Sequence, residues 1–284
     1  MSTKGTVMTP AQDNAAISPL PPERVVLITG ADRNLGKAMS LACLRAGARV
    51  VLTAMYGSHL QAVVEESKAA DRALTIEGDL ALERDRKEIL RQAFDRFGRI
   101  DVLVNNAAVT PETYWPNWLV EGEPRQWTLS AEFYRSFLEV DSVAPHDFIA
   151  AVLPRMLERG WGRIINVSTS LGTMLRFWPY GSAKAALEAQ TAVLAAQLEG
   201  SGVTANVLAP GGFVKPAPLR MPNGEIIRPD YGPAIMEAPI QWLASDDSNR
   251  VNGKRIIAAR WNPSVGAAAL EGDAIRPIGW SGQE

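Results

Sequence analysis

Short apolar runs alternate along this chain with longer stretches whose apolar residues recur at helical spacing. Arg24-Val25-Val26-Leu27-Ile28-Thr29 is the first such run. It is partly β-branched, ends at Gly30 and predicts a buried parallel strand. A helical stretch follows from Lys37 to Ala46. Residues 47–53 predict a second strand, residues 58–71 a second helix, and Ala73 to Ile76 a third strand that stops at Gly78-Asp79. Residues 83–97 predict a third helix ended by Gly98. Ile100 to Val104 predicts a fourth strand, closing on Asn105-Asn106-Ala107-Ala108. Apolar strands separated by helices argue for a parallel sheet covered on both faces, and right-handed crossovers make it doubly wound. The expected fold class is α/β, with one doubly wound parallel sheet.

The rhythm breaks over residues 109–130, where Tyr114, Trp115, Trp118 and Trp127 crowd among prolines and a glycine. Helical spacing resumes from Ser130 to Glu158, with a bend expected near Pro145 and a kink or short break at Pro154. Residues 162–167 predict a fifth strand that delivers Ser168-Thr169-Ser170. A long helix opens at Tyr180 and runs through Leu198, and Val203 to Leu208 predicts a sixth strand closing on Pro210-Gly211-Gly212. Residues 213–233 are proline-rich and read as loop, 234–244 as a short helix, and Arg255 to Ala259 as the last strand. The expected organisation is a mobile tail over residues 1–23, one domain over 24–261 and a C-terminal extension without periodicity over 262–284.

Composition changes this picture little. The chain has 284 residues, 46% hydrophobic and 21% charged, within the ordinary range for a globular protein. A net charge of −2 offers no basic field for nucleic acid or an anionic membrane. Cys43 is the single cysteine, so no internal disulfide framework exists. Its apolar helical setting suggests a buried thiol in a reducing, cytoplasmic compartment. No apolar run approaches the ~18 residues that span a bilayer, and the N-terminus lacks the pattern of a secretion signal. His59 and His146 have no ligand-spaced partner, and no metal site is expected. Asp141, His146 and Asp147 share a helix and read as a solvated or packed face.

The candidate chemistry sits at Tyr180-Gly-Ser-Ala-Lys184. Residues four apart share a helix face, so the lysine ammonium can lie beside the phenol. A free phenol titrates near ~10. A neighbouring cation is expected to lower that value, as a general acid/base acting on a carbonyl or alcohol requires. At the other end of the chain, strand, Gly30-to-Gly36 turn and helix form the arrangement in which backbone N–H groups hold a pyrophosphate.

Taken in order, these segments resemble the short-chain dehydrogenase/reductase family. The likeness covers roughly residues 24–260. It rests on Thr29-Gly30…Gly36, Gly78-Asp79, Asn105-Asn106-Ala107, Asn166-Val-Ser-Thr, Tyr180…Lys184, Pro210-Gly211 and Ser245-Asp246-Asp247…Asn252-Gly253. The resemblance implies a Rossmann-like fold and an NAD(P)-dependent oxidoreductase interconverting a ketone or aldehyde and an alcohol. Tyr180 would be the acid/base, and Lys184 would tune it and hold the nicotinamide ribose. Gly30, Arg33, Asn34, Leu35 and Gly36 would meet the cofactor phosphates, and Asp79 and Leu80 the adenine. Asn105, Asn106 and Ala107 would floor the site, and Pro210, Gly211 and Phe213 would line the nicotinamide side. A homo-oligomer, dimer or tetramer, is also implied. The same fold reducing a C=N or C=C bond, or serving as a cofactor-binding regulator, are the alternatives.

Several positions depart from the family's pattern. Asn34 replaces the middle glycine of the loop, and asparagine tolerates left-handed backbone. The position of the family's catalytic serine falls on Thr169, with Ser168 as second choice. Asp141 stands where the family has an asparagine that orders a relay water. Lys215 stands in place of a common threonine and is either a cofactor-phosphate ligand or a solvated lysine. The second strand ends Thr53-Ala54-Met55-Tyr56 without an acid, which leaves room for a 2′-phosphate that Arg33 could bind, although Asp32 adjoins it. NADP is therefore expected before NAD. Trp178, just before Tyr180, and Ser170 are the candidate substrate contacts, favouring an apolar or aromatic substrate.

Overall fold

Eight strands lie side by side in the order β3-β2-β1-β4-β5-β6-β9-β10 of a computed structural model that describes residues 17–115, 124–221, 223–261 and 275–278. They are β1 (Val25–Thr29), β2 (Arg49–Ala54), β3 (Ala73–Glu77), β4 (Val102–Asn105), β5 (Gly162–Val167), β6 (Val203–Ala209), β9 (Lys254–Ile257) and β10 (Ile275–Pro277). Every neighbouring pair is parallel except β9 with β10. Alternate residues of one strand face opposite sides. Val26 and Ile28 of β1 enter one core with helix α1 (Asn34–Arg45), while Val25 and Leu27 enter a second with α3 (Glu83–Phe97). Both faces are therefore covered, which is why β1, β4, β5 and β6 are buried along their full length.

Strand order reverses between β1 and β4, and ligands bind beyond the carboxyl ends of strands at such a point. The register aligns those ends, with Thr29 opposite Thr53 and Asn105 opposite Asn166. The polar residues that follow each strand thus share one edge of the sheet.

The second helix, α2 (Gly57–Ser67), is shorter than expected. Lys68 turns left-handed at φ 54° and a tight turn over Ala70–Arg72 precedes β3. The bend expected near Pro145 is a wide, π-type turn over Glu139–Val143, lying between α5 (Ala131–Leu138) and α6 (Ala144–Glu158) and closed by Ala144 N–H on the Glu139 carbonyl. Proline has no N–H to continue the regular ladder just beyond it. Pro154 does not break α6, which runs on to Glu158 with Val152 and Met156 buried on either side.

Three other segments gain structure that periodicity did not predict. The 213–233 loop holds a small ribbon, β7 (Leu219–Arg220) with β8 (Ile226–Ile227). Within the stretch read as a tail, Ile17 and Leu20 are buried and Ser18 donates both N–H and hydroxyl to Asp247, at 3.0 Å each. Within the C-terminal extension, β10 adds an antiparallel edge on which Pro277 is tolerated.

Candidate active site

The turn between β1 and α1 is tied down from the next strand over. The helix starts at Asn34, three residues earlier than the periodicity suggests, so Asn34, Leu35 and Gly36 form its first turn. A Cβ on Gly36 would lie 1.9 Å from the Gly30 carbonyl oxygen, so only glycine lets the helix approach the turn this closely. Asn106 Nδ2 donates to the carbonyls of Thr29 (2.8 Å) and Gly30 (3.0 Å). The Thr29 hydroxyl accepts the N–H groups of Asn106 and Ala107, both at 3.0 Å. Asn34 adopts φ 46°, as its tolerance of left-handed backbone predicts. No side chain caps α1, and Asn34 Oδ1 is buried without a hydrogen-bond partner. An uncapped N-terminus with free N–H groups suits an anion. Leu35 packs against the core behind it.

Around this turn, Arg33 is 78% exposed, and its Nε lies 4.0 Å from Asp32 Oδ2. His59, unremarkable in the sequence, reaches the same carboxylate at 3.5 Å. Met55 and Tyr56 are exposed at the end of β2. The acid closest to that end in the sheet is Glu77 of β3, whose carboxylate accepts the Gly57 N–H at 2.8 Å. Asp79 Oδ1 accepts the Ala81 N–H at 2.9 Å, and Leu80 is buried.

The chemistry-bearing cluster gathers at the carboxyl end of β5. Tyr180 is the first residue of α8 (Tyr180–Gln197), following the short helix α7 (Leu171–Met174). A Cβ on Gly181 would fall 2.0 Å from the Met174 carbonyl oxygen, so glycine beside Tyr180 lets α7 sit directly on α8. Lys184 Nζ lies 5.8 Å from the centre of the Tyr180 ring, donates to the Val167 carbonyl at 3.2 Å and stands 4.0 Å from Asp141 Oδ2. The Thr169 hydroxyl stands close enough to the phenol to act on it as a hydrogen-bonding group. Tyr180, Lys184, Thr169 and Asp141 are thus brought together.

The expected lowering of the phenol pKa is not what the site shows. Burial raises it above the ordinary value, the Asp141 carboxylate adds to the rise, and the bond to Thr169 opposes it. The tyrosine keeps partial exposure as a residue, yet protein surrounds its phenol closely enough for desolvation to dominate. Burial likewise pushes the Lys184 ammonium down, against the attraction of Asp141 and Glu188. Asp141 is pushed up to about 6 by burial, opposed by Lys184 and by the Val109 N–H, which it accepts at 2.8 Å. Spacing placed the ammonium beside the phenol correctly, but it carries no information about desolvation.

Ser168, the second-choice hydroxyl, is engaged within the protein. Its buried hydroxyl donates to Glu188 Oε1 at 2.6 Å. Ser170 caps α7, accepting the Thr173 N–H at 3.1 Å, and is exposed. Asn105 donates to Asn166 at 2.8 Å, while its own Oδ1 is buried without a partner.

On the open side, Trp178 stacks near Tyr134 of α5 with ring centres 5.1 Å apart. Trp115 instead packs with Tyr114 and with Phe133 of α5, and Trp127 is 80% exposed. Trp118 lies outside the described residues. Lys215 is mostly buried rather than solvated, and pairs with Glu112 of α4 (Pro111–Tyr114). Asp147 pairs with buried Arg86 at 2.8 Å, as a packed helical face would. Pro210 accepts the Ala259 N–H at 2.9 Å, Gly211 takes φ 92°, and Phe213 N–H donates to Asp230 at 2.8 Å, which folds the 213–233 loop onto itself. Glu112 and Glu188, whose carboxylates act on the Tyr180 phenol and the Lys184 ammonium, were not legible in the sequence, because their partners Lys215 and Ser168 come from other elements. Among the described residues, no three His, Cys, Asp or Glu side chains cluster as a metal site, and no helix is long and apolar enough to cross a membrane.

A family model described as short chain dehydrogenase matches residues 24–223. An uncharacterised oxidoreductase of Mycobacterium tuberculosis is 32% identical over 248 residues, covering 82% of this chain and 90% of the relative. A 3-oxoacyl-[acyl-carrier-protein] reductase of Synechocystis is 32% identical over 233 residues, covering 78% and 90%. A metagenomic short-chain oxidoreductase solved in complex with NADP superposes with a TM-score of 0.66 at 26% identity, covering 83% of this chain and 96% of that one. With the parallel sheet, the tied glycine turn and the Tyr180–Lys184 pair, these matches show that the chain belongs to the short-chain dehydrogenase family.

Proposed function

We propose that this chain is an NADP(H)-preferring oxidoreductase that interconverts a ketone or aldehyde and an alcohol, acting on an apolar or aromatic substrate. The observation that carries the reading is the meeting of Tyr180, Lys184 and Thr169 at the carboxyl edge of the sheet, beside the uncapped start of α1. The orphaned Asn34 Oδ1 and Asn105 Oδ1 and the close Gly30–Gly36 approach fit a dinucleotide there. Gly30, Arg33, Asn34, Leu35 and Gly36 would hold its phosphates, Asp79 and Leu80 its adenine. Asn106, Ala107, Pro210, Gly211 and Phe213 would line the rest. Once bound, the nicotinamide gives or accepts the hydride.

The protein's own part is to hold and protonate the substrate oxygen. In reduction, the Thr169 hydroxyl donates to the carbonyl oxygen, and the Tyr180 phenol delivers its proton as that oxygen becomes an alcohol. The Lys184 ammonium, held by the Val167 carbonyl and facing Asp141, stabilises the phenolate left behind. A phenol raised above its ordinary value is protonated at neutral pH, the form that can give its proton to the substrate oxygen. Trp178 and Tyr134 supply the apolar wall of the substrate side.

Exposed Arg33 and the acid-free end of β2 support NADP over NAD. The NADP complex of the structural relative points the same way. Tyr180→Phe is expected to cut carbonyl reduction by about 10²–10⁴-fold, the span of general acid catalysis, while NADPH still binds. Full turnover in that variant, on a panel of carbonyls and alcohols run with both cofactors, would overturn the reading.

A further inference from the structure

We propose that Arg255 and Glu188 are positioning residues whose ion pair sets the Thr169 hydroxyl against Tyr180; this rests on the reading that Thr169 holds the substrate oxygen. Three consecutive residues leaving β5 are each gripped separately. The Val167 carbonyl accepts from Lys184 Nζ at 3.2 Å, the Ser168 hydroxyl donates to Glu188 Oε1 at 2.6 Å, and the Thr169 carbonyl accepts from Arg255. Lys184 and Glu188 sit one turn apart on the same face of α8. Arg255 arrives from β9, two strands away in the sheet, and its second nitrogen donates to Glu188.

One guanidinium therefore joins the α8 face to the backbone of the residue whose side chain touches the phenol. Thr169 lies beyond the end of β5, where no strand neighbour fixes its carbonyl. The ion pair is largely out of water, with side-chain exposures of 13% for Arg255 and 8% for Glu188. Desolvation of both charges offsets most of the attraction of such a pair, so stability alone is a poor account of it. Position is a better one. The guanidinium is a planar fork whose two nitrogens serve two acceptors at once, which a lysine ammonium on a flexible stem does not reproduce. The pair also assigns the two hydroxyls their places: Glu188 draws Ser168 inward, and Arg255 leaves Thr169 facing Tyr180.

The discriminating variant is Arg255→Lys, which keeps the charge beside Glu188 and loses the fork. Its expected signature is a kcat lowered about 10- to 100-fold with KM and NADPH dissociation constant within about twofold, for a lost hydrogen-bonded orientation. In the purified protein without substrate, amide hydrogen exchange over residues 168–174 should quicken about tenfold while the middle of α8 keeps its protection. Glu188→Gln, which still accepts from Ser168, should show the same split more weakly. It also serves as the second variant should Arg255→Lys not fold. Parent-like kcat and parent-like exchange over 168–174 in a folded variant would overturn the proposal. Thr169→Ala separates the two layers: full activity there overturns the role of Thr169 itself. Loss of activity there, combined with parent-like Arg255→Lys, overturns only the positioning.

Discussion

Asp141 is fully buried, its Oδ2 has no hydrogen-bond partner, and its only facing cation among the described residues is Lys184 at 4.0 Å. Its carboxyl is raised from 3.8 to about 6. The folded state therefore binds its proton more tightly than the unfolded state. Below pH ~4 both states hold the proton and nothing is lost; between ~4 and ~6 only the folded state holds it, and stability falls as pH rises; above ~6 the full cost is present. Two units correspond to about 3 kcal/mol at ~1.4 kcal/mol each. The parent should therefore lose up to about 3 kcal/mol across that window that Asp141→Asn does not lose. Denaturant unfolding of both proteins at several pH values checks this, and a stability difference independent of pH would contradict it. Arg33 yields a separate prediction. Arg33→Ala should weaken NADPH binding about tenfold or more, the scale of one charge-assisted bidentate contact, and leave NADH nearly unchanged. Equal losses for both cofactors would remove Arg33 from 2′-phosphate recognition. At this scale the sequence shows identity and neighbourhood but not solvent. Tyr180, Lys184, Thr169 and Asp141 could be singled out from spacing and family order, whereas the direction of the phenol shift depends on burial that no spacing encodes.

The strands and most helices were legible because a strand buried on both faces must be apolar throughout, and its helices must return between them. What escaped depends on contacts between distant elements. The β7–β8 ribbon and β10 have too few residues to show a period, and β10 exists because β9 offers it an edge. The Lys215–Glu112 pair is of the same kind. It links the loop after β6 to α4 after β4, across the side where Tyr180 opens, and the Glu112 carboxylate raises the Tyr180 phenol. Removing that negative charge should lower the phenol pKa, and the released Lys215 cation acts in the same direction. Glu112→Gln should therefore move the alkaline limb of the pH–rate profile to lower pH and speed alcohol oxidation at a fixed mildly alkaline pH. Profiles in both directions, read against Tyr180→Phe as the blank, test it; a limb that stays in place or moves upward would sink the assignment.

Across the whole molecule, both ends of the described chain close the same core. Ile17 and Leu20 precede β1 and Ile275 follows β9, yet all three join the cluster that holds α1, α9 (Glu237–Ala244) and Cys43. Leu20 N–H also donates to the Ala46 carbonyl at 3.0 Å, at the far end of α1 from the glycine turn. These segments read as tails because a few apolar residues among polar ones have no period of their own; they acquire a place only once the sheet exists. Removing Leu20's side chain should therefore weaken the fold without touching the site. Leu20→Ala is expected to cost about 2–5 kcal/mol, the range for a buried leucine truncated to alanine. Cys43 supplies the reporter: its thiol is fully buried and pushed up to about 12 by that burial, so a thiol reagent reaches it only when the core opens. If opening is global and closing is fast, labelling tracks the population of the open state. A loss of about 3 kcal/mol then speeds labelling by roughly 10²-fold. NADPH affinity, measured well below the melting temperature, should stay within about twofold, since Leu20 lies on the opposite end of α1 from the phosphate turn. Faster labelling with unchanged affinity would show the terminal segment to be part of the fold, whereas labelling at the parent rate would show that Leu20 covers the core without holding it closed.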